Sequence, residues 1–145
     1  DTAAANALDD YEEGTWTPQV WRSSGSSEIS GVSGRYGYYC LVGKLLHLSF
    51  YVYYNSLSES SSQTWIIRNL PYNVLISHNG AYQFLPGGYY YMMGNNVGDT
   101  NNNGSYRWQA NGTFSNNTLT LYSNANAMNA NGSVEFSGTG TLLIG

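Results

Sequence analysis

KLLHLSFYVYY, residues 44–54, alternates apolar and more polar side chains and is the clearest strand signal in the chain. The even positions are the apolar ones: Leu46, Leu48, Phe50, Val52 and Tyr54. The odd positions include His47, Ser49, Tyr51 and Tyr53. Because successive side chains of a strand point to opposite faces, the pattern predicts one face in a core and the other on a wetter surface.

Two other segments show the same alternation and are predicted as strands. In residues 118–122, two leucines alternate with two threonines and a tyrosine. In residues 133–144, the apolar side chains share a face with two glycines, Gly138 and Gly140. Glycines on a packed face favour a bulge or the close approach of another chain.

Shorter strand signals fill most of the remaining chain, separated by Gly, Asn and Ser clusters. They lie at residues 15–21, 34–42, 64–69, 81–84, 88–93, 105–110 and 113–115. The Asn-Gly pair at 111–112 is the strongest hairpin signal, because both residues tolerate the positive φ angles of a two-residue turn. The serine-rich stretches 22–33 and 55–63 are predicted to be exposed loops. Together these patterns predict an all-β fold, an antiparallel β-sandwich of jelly-roll character with about eight to ten strands.

The composition indicates a folded domain with a polar, uncharged surface. At 145 residues the chain has the length of one domain, and only 10% of its residues are charged, whereas 15% are aromatic. Disordered chains have the opposite balance. The 14 tyrosines, together with many Asn and Ser residues, resemble the composition of adaptable recognition surfaces. The alternative is that Tyr and Thr are simply good strand residues.

The charges and the single cysteine exclude several classes of function. The net charge is −4 and the five cations are scattered along the chain, so nucleic-acid binding is not expected. No segment is long and apolar enough for membrane insertion, and no signal peptide is recognised. Cys40 cannot form an internal disulfide and is expected to be buried in a strand.

Catalysis is not expected. His47 and His78 have no adjacent nucleophile motif. Paired carboxylates could hydrolyse a glycan, but four of the nine acidic residues lie in residues 9–13, before the first predicted strand. The chain is therefore predicted not to be an enzyme and to use no cofactor.

One segment partly fits a calcium-binding loop. Residues 99–104 read DTNNNG and supply oxygen ligands at the first, third and fifth positions, with a turn glycine at the sixth. The twelfth position is Ala110, where a bidentate glutamate is required. We therefore favour a hairpin tip and predict no metal site.

The aromatic and amide side chains of residues 89–108 form the candidate ligand site. Aromatic faces can pack on the C–H surfaces of sugars, while Asn, Asp and Arg bond to the hydroxyls. The candidate glycan-binding residues are Tyr89, Tyr90, Tyr91, Asn95, Asn96, Asp99, Asn101, Tyr106, Arg107 and Trp108. Packing in the core or in a subunit interface is the alternative for the aromatic rings.

Three segments carry a resemblance to a known family. Residues 8–18 read LDDYEEGTWTP, residues 39–44 read YCLVGK, and residues 67–72 read IRNLPY. In this order and spacing they resemble the C-terminal domains of bacteriophage tail fibres and tailspikes, whose later segments follow the patterns Y-x-K-[IV]-G-[NK] and I-x-G-L-P-[FY]. Leu41 replaces the usual Lys and Asn69 the usual Gly. The resemblance covers roughly the first half of the chain.

This resemblance implies an organisation and a function. Residues 1–14 would be a linker or the end of an upstream stalk, and residues 15–145 a homotrimeric receptor-binding head. Such a head would be made in the host cytoplasm and would recognise a host cell-surface glycan or another surface receptor from the virion. Two alternatives remain: a structural domain that trimerises or caps the fibre, with receptor binding elsewhere, and a secreted carbohydrate-binding module.

Overall fold

The computed structural model describes residues 11–78, 81–85, 89–93, 107–110, 117–122 and 128–145. Within these ranges the chain forms twelve strands. They are β1 (Tyr11–Thr15), β2 (Gln19–Arg22), β3 (Gly34–Val42), β4 (Leu45–Gln63), β5 (Trp65–Arg68), β6 (Ser77–His78), β7 (Ala81–Tyr82), β8 (Phe84–Leu85), β9 (Tyr89–Met93), β10 (Arg107–Gln109), β11 (Leu119–Tyr122) and β12 (Met128–Leu143). No helix that could cross a membrane occurs in these ranges.

The strands form two five-stranded antiparallel sheets and one small hairpin. The first sheet has the order β1-β3-β4-β12-β9, and the second has the order β2-β5-β11-β10-β8. Strands β6 and β7 pair with each other. The sheets pack face to face, which confirms the predicted antiparallel β-sandwich.

The core lies between the sheets and is rich in aromatic rings. Phe136 of β12 packs against Trp65 at a ring separation of 5.5 Å and against Tyr54 at 6.2 Å. Phe50 lies edge-on to Trp108 at 5.3 Å. Each such pair adds about 0.5–1.5 kcal/mol beyond the area it buries. The apolar even positions of residues 46–54 are all buried, as their alternation predicts.

Gly138 of β12 shows why a glycine occupies the packed face. A Cβ atom at this position would lie 2.7 Å from Cε1 of Phe50 and 3.0 Å from Cδ1 of Trp108. The close approach therefore comes from two rings of the same chain, and the expected approach of another chain is wrong for this residue.

Two segments predicted to be irregular belong to strands. The serine-rich stretch 55–63 continues β4, because its backbone pairs with β12 as far as Gln63 opposite Met128, and Leu57 is buried. Residues 11–14, assigned to a linker, form most of β1, because they complete a ladder with the edge of β3. Residues 1–10 lie outside the described ranges.

The predicted short strands are confirmed with shifted bounds. The segment 15–21 is split between the end of β1 and β2, and 81–84 between β7 and β8. The strand predicted at 113–115 and the turn at 111–112 lie outside the described residues. Both faces of β11 are buried, so Thr118 and Thr120 lie in the interior with the leucines instead of on a polar surface.

Candidate functional site

The outward face of the first sheet carries a group of tyrosines. Tyr36 of β3 pairs with Tyr51 of β4, and Tyr38 pairs with Ser49, so these side chains share one face. Tyr36 is 72% exposed and Tyr38 is 43% exposed. Tyr36 and Tyr38 lie on the face opposite the core, because side chains alternate along a strand and Gly37 between them pairs with the buried Phe50.

These tyrosines border an open cavity of about 520 Å³, which we call the tyrosine groove. This volume lies within the range of ligand pockets, roughly 300–1,000 Å³. The groove is lined by Thr15, Trp16, Arg35, Tyr36, Gly37, Tyr38, Ser49, Phe50 and Tyr51.

Trp16 is fixed in the wall of the groove by its neighbours. Its indole N–H donates to the carbonyl oxygens of Tyr38 and Ser49, each at 3.3 Å, and its ring lies edge-on to Phe50 at 6.0 Å. Gly37 makes this packing possible, because a Cβ atom there would lie only 2.5 Å from the Trp16 carbonyl oxygen. These contacts set the orientation of the Trp16 ring in the wall of the groove.

Three tyrosine rings form a row beside the groove. The ring centroids of Tyr36 and Tyr51 are 6.1 Å apart, and those of Tyr51 and Tyr53 are 6.4 Å apart with an interplanar angle of 22°. The Tyr51 hydroxyl donates to Oε1 of Glu135 at 2.9 Å. Desolvation, followed by this bond, raises the pKa of Tyr51 above its usual value. Tyr51 is therefore held in place as a neutral phenol.

The one cationic side chain in the groove lining, Arg35, is paired with a carboxylate. Arg35 forms a salt bridge of 2.6 Å with Glu28, and the same Nη1 atom donates to the carbonyl oxygen of Pro18 at 3.2 Å. Glu13 accepts a hydrogen bond of 3.0 Å from the Tyr38 hydroxyl. Two lining tyrosines, Tyr38 and Tyr51, thus each donate to a carboxylate.

A second group of side chains, the carboxylate–tyrosine cluster, holds β1 in place. Glu12 accepts hydrogen bonds from Tyr39 at 2.5 Å and from Tyr72. Glu13 accepts from Tyr11 as well as from Tyr38. The rings of Tyr39 and Tyr72 also meet edge-on at 5.8 Å.

The hydrogen bonds of this cluster shift the pKa values of its carboxyl and phenol groups. The hydroxyls of Tyr39 and then Tyr72 lower the pKa of Glu12, and those of Tyr11 and then Tyr38 lower the pKa of Glu13. In turn, the hydrogen bond to Glu12 raises the pKa of Tyr72 to about 12. Carboxyl groups with lowered pKa values are poor general acids at neutral pH, so this pair is suited to holding the strand in place.

The candidate residues of the sequence are divided between the two sheets. Tyr89, Tyr90 and Tyr91 lie in β9 at the edge of the first sheet, where their backbones pair with Ser137, Phe136 and Glu135. Arg107 and Trp108 lie in β10 of the second sheet. The other predicted site residues, Asn95, Asn96, Asp99, Asn101 and Tyr106, lie outside the described residues, as does the calcium-like segment 99–104.

Trp108 is a core residue. Its side chain is fully buried, and its indole N–H donates to the Ser137 carbonyl oxygen at 2.9 Å. The core alternative therefore applies to this ring, and we remove Trp108 from the candidate glycan site.

The sequence reasoning missed Trp16, Arg35, Tyr36, Tyr38 and Tyr51 as site residues. The signal was present, because Tyr51 occupies an outward position of the alternating segment 44–54 and Tyr36 and Tyr38 repeat with period two. The pairing of β3 with β4, which brings them together, is not a property of either segment alone.

Two further polar side chains share this outward face. Cys40, expected to be buried, is half-buried, because it sits at an outward position between Glu13 and His47 in the register. His47 Nδ1 lies 3.2 Å from the Thr141 hydroxyl. Among the described residues, no group of three or more His, Cys, Asp or Glu side chains is placed to hold a metal ion.

Comparison with known proteins gives no relative from which to infer a function. No family model, no curated protein and no solved structure matches the chain. Its function must therefore be argued from its own residues, above all from the tyrosine groove, together with the resemblance carried by residues 8–18, 39–44 and 67–72.

Proposed function

We propose that the tyrosine groove binds a glycan and that the chain is the receptor-binding head of a phage tail fibre, recognising a host cell-surface glycan during adsorption. The observation that carries the proposal is the row of tyrosines, Tyr36, Tyr51 and Tyr53, beside an open cavity of about 520 Å³. The resemblance of residues 8–18 to tail-fibre domains supplies the biological setting.

The chemistry of the groove suits a sugar. The negative face of an aromatic ring attracts the C–H groups of a pyranose, and a tyrosine side chain loses little conformational entropy on binding. The hydroxyls of Thr15 and Ser49 lie in the same lining and can exchange hydrogen bonds with sugar hydroxyls. The fixed Trp16 ring adds pre-organisation, which reduces the entropy lost on binding.

Part of the site predicted from the sequence adjoins this surface. Tyr91 of β9 pairs with Glu135, and Glu135 accepts the hydrogen bond from Tyr51. The proposed binding surface therefore runs from the tyrosine groove across β12 to β9. Tyr89 and Tyr91, which pair with Ser137 and Glu135, remain candidate contacts within the proposal, whereas Tyr90 pairs with the buried Phe136.

Removal of the exposed rings tests the proposal. Purified wild-type protein is screened on a glycan array, and the best ligand is titrated into the Tyr36→Ala and Tyr51→Ala variants by calorimetry. Loss of a central aromatic contact commonly removes more than about 1.4 kcal/mol, so we expect the dissociation constant to rise about tenfold or more. Trp21→Ala is the matched control, because Trp21 is a half-buried aromatic residue in β2 of the second sheet and lies outside the groove lining.

The proposal fails if both groove variants keep wild-type affinity while the control does the same. Thermal unfolding of each variant, followed by circular dichroism, separates a lost contact from a lost fold. Host adsorption by phage carrying the same substitutions then tests whether the glycan is the receptor.

A structural role is the second candidate, and a row of exposed apolar side chains favours it. Tyr11, Val42 and Leu45 pair side by side across β1, β3 and β4, and they are 49%, 51% and 51% exposed. Contiguous exposed apolar residues are typical of interfaces. This row could contact neighbouring copies in a trimer or the fibre stalk, and a trimer would present three grooves and gain avidity.

Substitution of this row distinguishes the two candidates. The double variant Val42→Thr/Leu45→Thr keeps β-branched or strand-compatible side chains while removing apolar surface. If the row is an interface, light scattering after size-exclusion chromatography will show a smaller assembly than for the wild type. If the mass is unchanged, the structural candidate loses its supporting observation.

A further inference from the structure

We infer that the tyrosine groove selects glycans without acidic groups, that is, without carboxylate, sulfate or phosphate substituents. This inference rests on the proposed glycan-binding function and specifies the chemical class of its ligand. It follows from where the charges and the hydrogen-bond donors around the groove are placed.

The groove offers an acidic ligand little positive charge. Arg35 is the one cation among the residues that line it, and its Nη1 atom is engaged by Glu28 at 2.6 Å and by the Pro18 carbonyl at 3.2 Å. Lys44 precedes β4 and lies about 23 Å along the strand from Tyr51. That separation exceeds the screening length of roughly 8 Å at physiological ionic strength.

The remaining cations belong to the opposite sheet. Arg22, Arg68 and Arg107 lie in β2, β5 and β10, all of the second sheet. The guanidinium of Arg68 is held there, 4.1 Å from the centre of the Trp21 ring. None of these three positions lies in the sheet that carries the groove.

Two carboxylates are instead bonded to the lining tyrosines. Glu13 accepts from the Tyr38 hydroxyl at 3.0 Å, and Glu135 accepts from the Tyr51 hydroxyl at 2.9 Å. An acidic substituent on a ligand would approach these like charges, which is unfavourable unless a cation compensates.

Three hydrogen-bond donors of the lining, those of Tyr38, Tyr51 and Trp16, are also directed away from a bound anion. A tyrosine has one O–H donor, and in Tyr38 and Tyr51 it already points to a carboxylate. The indole N–H of Trp16 is directed to two backbone carbonyls. What these groups present to a ligand is acceptor oxygens and ring faces, which match the O–H and C–H groups of a neutral sugar.

A paired glycan array tests this selectivity. Neutral oligosaccharides such as lactose and cellobiose are printed beside their sialylated, sulfated and uronic-acid counterparts and probed at low and at physiological ionic strength. We expect the acidic member of each pair to bind roughly three- to tenfold more weakly, with the difference larger at low ionic strength.

The Glu135→Gln variant tests the electrostatic cause. It keeps the shape of the side chain and removes the charge, so we expect binding of the acidic glycans to rise roughly two- to fivefold relative to the neutral ones. Glu59→Gln is the matched control, because it removes the same charge eight residues beyond Tyr51 in β4. Thermal unfolding verifies that both variants are folded.

The outcomes separate the inference from the function on which it rests. If acidic glycans bind as well as their neutral partners, and Tyr36→Ala and Tyr51→Ala abolish that binding, the selectivity is overturned while the glycan-binding function stands. An unchanged acidic-to-neutral ratio in Glu135→Gln also overturns the inference. If no glycan binds at all, the proposed function is wrong, and the inferred selectivity is wrong as well.

Discussion

Substitution of Gly138 by alanine tests the packing that joins the two sheets. Gly138 pairs with Phe50, and an added Cβ atom would lie 2.7 and 2.9 Å from two carbons of the Phe50 ring and 3.0 Å from Cδ1 of Trp108. Real Cβ atoms do not approach other heavy atoms so closely, so something has to move. The fold makes such movement difficult, because both rings are buried and Trp108 is tied to the Ser137 carbonyl by a hydrogen bond of 2.9 Å.

The expected loss of stability follows from this lack of space. Overpacking a well-packed core costs about 1–3 kcal/mol. For a chain of this length, about 2 kcal/mol corresponds to a decrease in Tm of roughly 4–8 °C. We therefore expect Gly138→Ala to unfold several degrees below the wild type in a thermal scan followed by circular dichroism, and at a lower urea concentration.

Gly34→Ala is the matched control for this measurement. Gly34 lies in the same sheet, and nothing lies within 4 Å of a Cβ atom added there. Its effect is expected to stay within about 0.5 kcal/mol. Adding Phe50→Leu to Gly138→Ala provides space for the methyl group, so the double variant should lose less than the sum of the two single losses. Equal Tm values for Gly138→Ala and Gly34→Ala would refute the reasoning.

Three further predictions concern β1 and its partners. Because their tyrosine partners lower the pKa values of Glu12 and Glu13, the stabilisation by these carboxylates is complete above the usual pKa of 4.5 and is lost as the pH falls through the lower folded-state values. Acid unfolding curves of the Glu12→Gln/Glu13→Gln variant should accordingly be flatter than those of the wild type. The pKa of Tyr72 is raised to about 12, so its contribution is complete below the usual value of 10.0 and disappears as the pH rises through about 12. Hydrogen bonds to Glu12 and Glu13 and the desolvation of Tyr51 raise the pKa values of other tyrosines as well, so ultraviolet titration should show several late phenols, of which Tyr72→Phe removes one. Gly37→Ala should destabilise the domain by about 2–3 kcal/mol, because its Cβ atom would lie 2.5 Å from a backbone oxygen of Trp16, which can move less than a side chain can.

Each of these predictions has an outcome that contradicts it. Acid unfolding that is equally steep with and without Glu12 and Glu13 would mean that their tyrosine bonds contribute nothing to folding. A late part of the phenol titration that is unaltered in Tyr72→Phe would mean that the pKa of Tyr72 is not raised. A Gly37→Ala variant as stable as Gly34→Ala would mean that Trp16 does not press on β3 as the structure describes.

The sequence predicts those parts of the fold in which one strand face is buried. The alternation in residues 44–54 and 133–144 follows directly from the core that Leu46, Phe50 and Phe136 enter. The prediction from side-chain pattern fails at residues 55–63. This stretch is rich in serine and is expected to be a loop, but its backbone pairs with β12 and forms a strand. Local composition reports side-chain preference, whereas a strand is also made by a partner that lies far away in the sequence.

The candidate site was harder to predict for a related reason. A run of consecutive aromatic residues, such as residues 89–91, is easily identified as a candidate ligand site. Strand periodicity alone, however, does not show which of the two sheets a segment joins. Trp108 therefore appeared as a ligand contact although its sheet turns it into the core. The groove depends on pairs such as Tyr51 with Glu135, which are 84 residues apart. Only the sheet order brings these residues together.

The acidic run at residues 8–18 acquires a physical explanation from its contacts. Glu12 accepts hydrogen bonds from Tyr39 and Tyr72, so the three segments that carry the family resemblance meet at one carboxylate.

A hydrogen bond also ties the third of these segments, residues 67–72, to the first, residues 8–18. Asn69 donates to the Thr17 carbonyl at 2.9 Å and has a φ of 71°, a left-handed conformation that Gly and Asn adopt most readily. Asn at this position therefore retains a backbone conformation that the usual Gly would allow. In this chain the three segments fasten β1 against β3 and the segment after β5. Since β1 leads directly into Trp16, this fastening also builds one wall of the tyrosine groove.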